Sequence, residues 1–593
     1  MIKNRLQALR LEMEKTGVQA YIIPTSDFHE TEYVASYFAC RKYMSGFTGS
    51  AGVLVVLMDK AALWTDGRYF IQAASELENS TIELMKMGQE GTPSIEEYIL
   101  DNLSQGSVVG FDGRTINTND ARRYQNAFAT KEISLEPNYD LVGRIWTDRP
   151  SLPNSKTFHY DVKYAGKEMD VKLNEVREEM KKVYATSHII TKIDQIAWLF
   201  NLRAFDIPHF PVALAYALVE ENQATLYIDN SRLDEESRTL FNTYGVIVKA
   251  YDEIYEDVKS LQGNILVDPS NVNSRIFFSL KGNIIEGRDP IISLKAQKND
   301  VELASTRLAH IKDGVAVTKF MYWLDQNVKT GNVSEMSAEA KLQEFRASQE
   351  GYIEDSFSTI SAYKEHAAMM HYSSNENTNV TLREEGMLLV DSGGQYYEGT
   401  TDITRTFVLG PITEEEKYWF TLSMRSHIRL AKANWLYGCR GLNLDILARG
   451  PLWDQNMDYQ CGTGHGVGHL SSVHEAPNGF RWRIVPERND SAVLEYGMIQ
   501  SDEPGVYVEG KFGIRHENEL IVKKGVKNYY GQFMHFEVLT FVPFDKKGID
   551  TSLMTKDEIE WLNDYHKEVF EKISPFMNED EKVWLKDVCS PLV

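Results

Sequence analysis

The stretch Met387-Leu388-Leu389-Val390-Asp391-Ser392-Gly393-Gly394, continued past Tyr396–Gly399 by Thr400-Thr401-Asp402-Ile403-Thr404-Arg405-Thr406, reads as two strands with an acid on each arm. If the chain turns over Tyr396–Gly399, Asp391 and Asp402 lie at similar heights, where facing Cβ atoms are about 4.5–5.5 Å apart. A second hairpin repeats the device. Met498–Glu503 leads through Pro504-Gly505 toward Gly510, and Gly513–Glu517 returns. Residues 503 and 517 are equidistant from 510, so a turn centred there sets Glu503 opposite Glu517. An Asp beside a glycine is ordinarily a turn residue, and each acid alone says little. Two facing pairs are different, because like charges across strands repel and a cation is needed to gather them.

Between the hairpins runs Cys461-Gly462-Thr463-Gly464-His465-Gly466-Val467-Gly468-His469, then Val473-His474-Glu475. His465 and His469 have the spacing of a zinc-binding helix, but no Glu follows His465 and the glycines disfavour a helix. In an extended chain the two rings stand about 13 Å apart at about 3.3 Å per residue. One metal therefore takes only one of them, and His469 and His474 are read as hydrogen-bonding residues. Four carboxylates and one imidazole form an oxygen-dominated set able to bridge two divalent ions about 3.5–4 Å apart. That set favours Mn²⁺, with Co²⁺ or Zn²⁺ as alternatives, and the chemistry it supports is hydrolysis.

Working outward, Asn299 with Glu302 forms a helix-start signal, and Val301, Ala304, Leu308, Ile311 and Val315 recur at helical spacing. Upstream, helix-like Arg5–Lys15, strand-like Ala20–Ile23 and the pair VLVVL and AALWT within 52–66 mark an α/β unit. The glycines of 45–52 lack the Lys-Ser/Thr of a P-loop and read as a tight turn. A Pro/Ser/Asp-rich linker at 146–156 precedes a second α/β unit, with a helix over 171–184 and strands at 188–191, 213–219 and 224–228. No internal repeat is evident. The tail beyond Phe544 reads as helical, anchored by Trp561 and Trp584.

The chain has 593 residues, which at about 150 residues per domain excludes a single core. Subtracting 86 Asp+Glu from 63 Lys+Arg gives −23, a field that repels nucleic acid and anionic membranes. No stretch nears the roughly 20 apolar residues of a membrane helix, and Met1–Lys15 lacks a secretory apolar core. A cytoplasmic enzyme is expected, and the four scattered cysteines read as free thiols.

The series DSGGQYYEGTTDITRTF (391–407), GTGHGVGH (462–469), VHEAP (473–477), SDEPGVY (501–507) and GIRHENEL (513–520) resembles the core of the pita-bread metallopeptidases, family M24. It is most similar to the three-domain Xaa-Pro aminopeptidases, whose first domain EYVASYFACRKYMSGFTGSAG and ALWTDGRYF also resemble. The resemblance implies an α/β and α+β fold: creatinase-like α/β domains over 1–152 and 153–298, then a pita-bread catalytic domain over 299–593. It implies one metal on Asp391, Asp402 and Glu517 and another on Asp402, His465, Glu503 and Glu517. A hydroxide between the ions is the implied nucleophile, with Glu503 handling its proton. His371 would contact the substrate backbone and His474 would steady the oxyanion, while Tyr507 and Arg515 match outer or proline-pocket residues. Arg515 read by itself is an ion-pair partner for a neighbouring acid. Cys461 stands where many relatives carry His, at the wall of the proline pocket. His516, by strand alternation, points away from the site.

The implied activity is release of the N-terminal residue from short peptides with proline second, by a homodimer. The alternatives are a prolidase acting on Xaa-Pro dipeptides and a partner-binding pita-bread protein without catalysis. The full ligand set argues against the latter and against metal-free creatinase chemistry. The two N-terminal units argue against a methionyl aminopeptidase, which needs little beyond the last domain.

Overall fold

The computed structural model describes residues 1–485, 488 and 490–593. The chain divides into two compact units, Met1–Tyr160 with Lys167–Ile291, and Asp161–Gly166 with Ile292–Val593.

The first unit holds two six-stranded sheets of one topology. Strand Ala20–Pro24 pairs antiparallel with Val53–Leu57 and parallel with Val108–Gly110. Strand Ser187–Ile190 likewise pairs antiparallel with Tyr216–Glu220 and parallel with Asn264–Val267. The repeat that the sequence conceals is therefore present in the fold. VLVVL and AALWT form the strands Val53–Leu57 and Ala61–Thr65. Leu54 and Val56 pack with Leu6, Leu9 and Met13 of the first helix, whereas Val55 and Leu57 pack with Tyr98, Ile99, Tyr124 and Phe128. Helices cover both faces, which is why these strands are continuously apolar. The two sheets interlock through matching helix starts: Asn117 and Asn273 each cap a helix. Thr118 N–H donates to Val272 O (3.0 Å), and Ser274 N–H donates to Ile116 O (2.8 Å). In the 45–52 turn the carbonyls of Phe47 and Gly49 accept from the Arg41 guanidinium. A phosphate cradle would point amides inward instead.

The second unit opens on helix Asp300–Asn327, capped by Asn299 with Glu302 reaching back to the Asn299 amide. The apolar spacing located the helix but not its buried face. Val301, Ala304 and Leu308 are exposed, while Leu303, Thr306, Ala309, His310 and Asp313 are buried. The buried face is polar because each polar group has a distant partner: His469 Nδ1 for Thr306 (3.0 Å), Glu519 for His310 (3.1 Å) and Arg346 for Asp313 (2.6 Å). Strand Met387–Ser392 lies between Ile360–Tyr363 and Ile403–Val408. Strands Gly464–Gly466, Ile499–Asp502 and Asn518–Asn528 adjoin in a separate six-stranded sheet. The tail forms helices Lys556–Ile573 and Glu579–Val588, with Trp561 stacked on Tyr565 and Trp584 edge-on to Tyr322.

Candidate metal centre

The first hairpin turns within Tyr396–Gly399, as the sequence indicates, but the turn is centred one residue beyond the midpoint of Asp391 and Asp402. Asp391 pairs with Thr404, and Tyr396 with Gly399, which puts the turn at Tyr397–Glu398. Displacing a turn centre by one residue moves every partner by two, so side chains keep their face while heights change. Asp391 and Asp402 are thus diagonal neighbours on one face, not directly opposed.

The second hairpin follows its expected register. Val508 pairs with Phe512 and Gly505 with Arg515; beyond the acids, Asp502 pairs with Asn518 in the same register. Glu503 therefore faces Glu517. Between these ladders both acid amides turn elsewhere: Glu503 N–H donates to Thr463 O (2.8 Å) and Glu517 N–H to Thr404 O (3.3 Å). Those two bonds join the hairpin to the histidine loop and to the first hairpin.

His465 sits in a strand, not a helix. Its Nδ1 lies 2.9 Å from Gly466 O, which can only accept. Nδ1 therefore carries a proton, and Nε2 is the atom turned to Asp402 Oδ2 (3.4 Å) and Glu503 Oε1 (3.3 Å). Against the pull of burial, those two carboxylates hold the imidazole well above its ordinary range, so that without a metal a second proton takes the Nε2 lone pair. A lone pair facing two carboxylates is stable only with a cation or proton between them. Asp402, His465 and Glu517 each offer a ligand atom, all within 4.8 Å of one another. Thr404 Oγ1 donates to Glu517 Oε2 (2.6 Å) and Ser501 Oγ to Glu503 Oε1 (3.0 Å). Among the described residues, Asp391 Oδ1 and Glu517 Oε1 are buried without a hydrogen-bond partner. Orphaned carboxylate oxygens converging on one space fit divalent metal.

The electrostatics agree. Burial pushes Asp402 up to about 7 against the opposing pull of His465. Burial, with Asp402, Glu503 and Asp391 adding, holds Glu517 well above the carboxylate range. Burial also raises Asp391, although Arg515 opposes it. At Glu503 burial acts upward too, but His465, Arg515 and His474 outweigh it and leave the group at about 2. A metal stabilises the charged forms that protons otherwise replace.

Arg515 is both an ion-pair partner and a bridge: Nη2 meets Asp391 Oδ2 (2.5 Å) and Nη1 donates to Tyr507 Oη (2.6 Å). Cys461 and Tyr507 pack on one apolar cluster, and burial pushes the Cys461 thiol up to about 11. The His474 ring stands edge-on to His465, centroids 4.3 Å apart. His371 is exposed in the turn after the short helix Lys364–Ala368. His469 bonds Thr306 and Tyr164 O, and His516 bonds Phe420 O (3.3 Å), both as hydrogen-bonding residues. Each of the four cysteines is a free thiol. Thr404 and Ser501 escaped notice in the sequence. Both stand two residues from an acid and share its face, so strand alternation could have found them.

Fold and site together define a pita-bread metallohydrolase. Residues 5–139 and 148–302 each match a creatinase/prolidase N-terminal domain, 304–524 match metallopeptidase family M24, and 532–592 match the C-terminal region of peptidase M24. The chain is 38% identical to a probable Xaa-Pro aminopeptidase P of Laccaria bicolor, over 99% of this chain and 93% of that one. It is 37% identical to Xaa-Pro aminopeptidase 1 of Dictyostelium discoideum, over 100% and 97%. A crystal structure of X-prolyl aminopeptidase from Caenorhabditis elegans, described as a cytosolic enzyme with a di-nuclear active site, superposes with TM-score 0.93 at 32% identity, covering 100% of both chains. The chain belongs to metallopeptidase family M24, in the aminopeptidase P group with two creatinase-type N-terminal domains.

Proposed function

We propose that this chain is a metal-dependent Xaa-Pro aminopeptidase that removes the N-terminal residue from short peptides whose second residue is proline. One observation carries the reading: Asp402, Glu503 and Glu517 converge with the Nε2 lone pair of His465, beside the orphaned oxygen of Asp391. Asp391, Asp402 and Glu517 would hold one ion, and Asp402, His465, Glu503 and Glu517 a second. The oxygen-rich donors favour Mn²⁺ over Co²⁺ or Zn²⁺. When bound, the ions supply Lewis acidity and a nucleophile available near neutral pH.

The chain's own groups do the rest. Proline's nitrogen carries no N–H in the peptide, and like any amide nitrogen it must gain a proton to leave. Glu503, kept anionic and oriented by Ser501, takes a proton at its carboxylate from the attacking water and hands it to that nitrogen. His474 stands beside His465 to steady negative charge on the carbonyl oxygen, and His371 binds the peptide backbone. Cys461 and Tyr507 wall the proline ring, with Arg515 fixing the Tyr507 hydroxyl. The cytoplasm is the proposed compartment, in line with the nematode relative described as cytosolic.

The test is hydrolysis of Arg-Pro-Pro, Arg-Ala-Ala and Arg-Pro by chelator-stripped protein, with and without restored Mn²⁺. Metal-dependent release of Arg from Arg-Pro-Pro alone is the expected result. Cleavage of the dipeptide alone makes the enzyme a prolidase, and no cleavage with any metal overturns the catalytic reading.

A further inference from the structure

Arg405 is buried beneath the acids, yet among the described residues its hydrogen bonds go to neutral acceptors only. Nη1 donates to the carbonyls of Thr404 (2.8 Å) and Glu517 (2.5 Å). Nη2 donates to Asn518 Oδ1 (2.8 Å), Val542 O (2.9 Å) and Tyr565 Oη (2.9 Å), and Nε donates to Pro543 O (3.3 Å). The guanidinium carbon lies 3.8 Å from the Phe544 ring centroid. These partners come from three separate segments: the Asp402 strand, the strand that begins after Glu517, and the C-terminal region 532–592.

Two features make this more than a core contact. First, Thr404 and Glu517 join the hairpins at the ligand itself, by the Glu517 amide on Thr404 O and the Thr404 hydroxyl on Glu517 Oε2, beside the contacts of Arg515 with Asp391 and Thr406. The fork of Arg405 holds the carbonyls of that same pair from behind, so it fixes where the Glu517 carboxylate stands relative to Asp402. Second, a buried cation is ordinarily matched by a carboxylate. Arg405 keeps its charge at all ordinary pH and, among the described residues, spends it on no direct ion pair, with Glu517 the acid whose charge acts on it.

We propose that Arg405 is a positioning residue that locks Glu517 against the Asp402 strand, and that the C-terminal region, which supplies three of its acceptors, is a working part of the metal centre. The inference rests on the reading that Asp402 and Glu517 hold metal. Arg405→Lys tests it, because an ammonium keeps the charge but offers three donors in place of a five-donor planar fork. Tyr565→Phe tests the C-terminal contribution, removing the hydroxyl that accepts from Arg405 and also bonds Thr540 O and Val542, without leaving a large void.

The measurement is calorimetric titration of MnCl₂ into chelator-stripped full-length protein, with apo melting followed in parallel. Arg405→Lys should weaken Mn²⁺ binding about 10- to 100-fold, the usual loss on disturbing groups that orient metal ligands. Tyr565→Phe should weaken it about 2- to 10-fold, as for one hydrogen bond. Wild-type Mn²⁺ affinity in Arg405→Lys, even with a lower melting temperature, would make Arg405 a core residue only and overturn the proposal. If Arg405→Lys does not fold, unchanged affinity in Tyr565→Phe overturns it. Wild-type protein that takes up no Mn²⁺ would overturn the metal reading itself, a result distinct from either.

Discussion

Both hairpins keep one register past their acids and both ladders open there, the first at Gly393 and Asp402 and the second at Glu503 and Glu517, but the first sets its acids two residues out of opposition whereas the second sets them directly opposite. The first avoids direct opposition by a two-residue offset. Asp402 falls opposite Gly393, where a Cβ would meet Thr401 O at 1.9 Å, so the chains pass too closely for any side chain. The second sets its acids face to face and sends their amides to Thr463 and Thr404. Each hairpin gives up ladder pairing at one step: at the first the Gly393 carbonyl accepts from Ser356 N–H instead, and at the second the diverted amides of Glu503 and Glu517 gain two contacts between segments. The second hairpin thereby assembles the site, and the first supplies ligands to it.

The largest effect expected from this contrast lies on the hairpin whose acids stand opposite. Glu503→Gln retains shape and hydrogen bonding but cannot take a proton, so kcat on Arg-Pro-Pro should fall about 10³-fold, within the range for losing a general base, with circular dichroism unchanged. Activity within tenfold of wild type would remove Glu503 from proton transfer.

Gly393→Ala strikes the offset hairpin. With backbone 1.9 Å from the new methyl group, the strands must separate, at a cost of about 3 kcal/mol. Urea unfolding read by tryptophan fluorescence should show that loss, and Mn²⁺ binding should weaken with it. Unchanged stability would mean the offset is held elsewhere than at this close approach.

That contrast also separates what the sequence displays from what it conceals. Glu503 and Glu517 are symmetric about Gly510, and the glycine marks the true turn, so their register was readable. The first hairpin turns at Tyr397–Glu398, inside the expected Tyr396–Gly399, but its glycines at 393, 394 and 399 mark no single centre, so the offset of its two acids was not readable. His465 was separable from His469 because extended spacing alone forbids a shared metal. The polar face of helix Asp300–Asn327 was not readable, since its partners Arg346, His469 and Glu519 are remote in sequence. Arg405 is the hardest case: most of its acceptors are backbone carbonyls, which carry no signature in residue type. The repeated topology of the first unit is hidden for a related reason, because strands buried on both faces accept many apolar sequences.

Cys461→His probes what the outer ladder of the second hairpin presents to substrate. Cys461 packs beside Tyr507 of that ladder, and a larger, more polar group there should change the ratio of kcat/KM for Arg-Pro-Pro over Arg-Ala-Ala about tenfold, the low end for a small change in an apolar pocket. An unchanged ratio would mean that Cys461 does not wall the proline pocket.

Gly510→Ala should have the smallest effect, and it decides what holds the second register. Gly510 has φ of 71° and open space where a Cβ would stand, so Ala there meets no atom and carries only the left-handed backbone cost of about 1 kcal/mol. If the register of Glu503 and Glu517 is held by their diverted amides, softening the distant turn leaves the acids in place. Urea unfolding should then shift by that small amount while Mn²⁺ affinity stays at wild type, the reverse of Gly393→Ala, where stability and affinity fall together. Should Gly510→Ala weaken Mn²⁺ binding as well, the turn sets the spacing of the acids, and the opening of the ladder at Glu503 and Glu517 is its consequence.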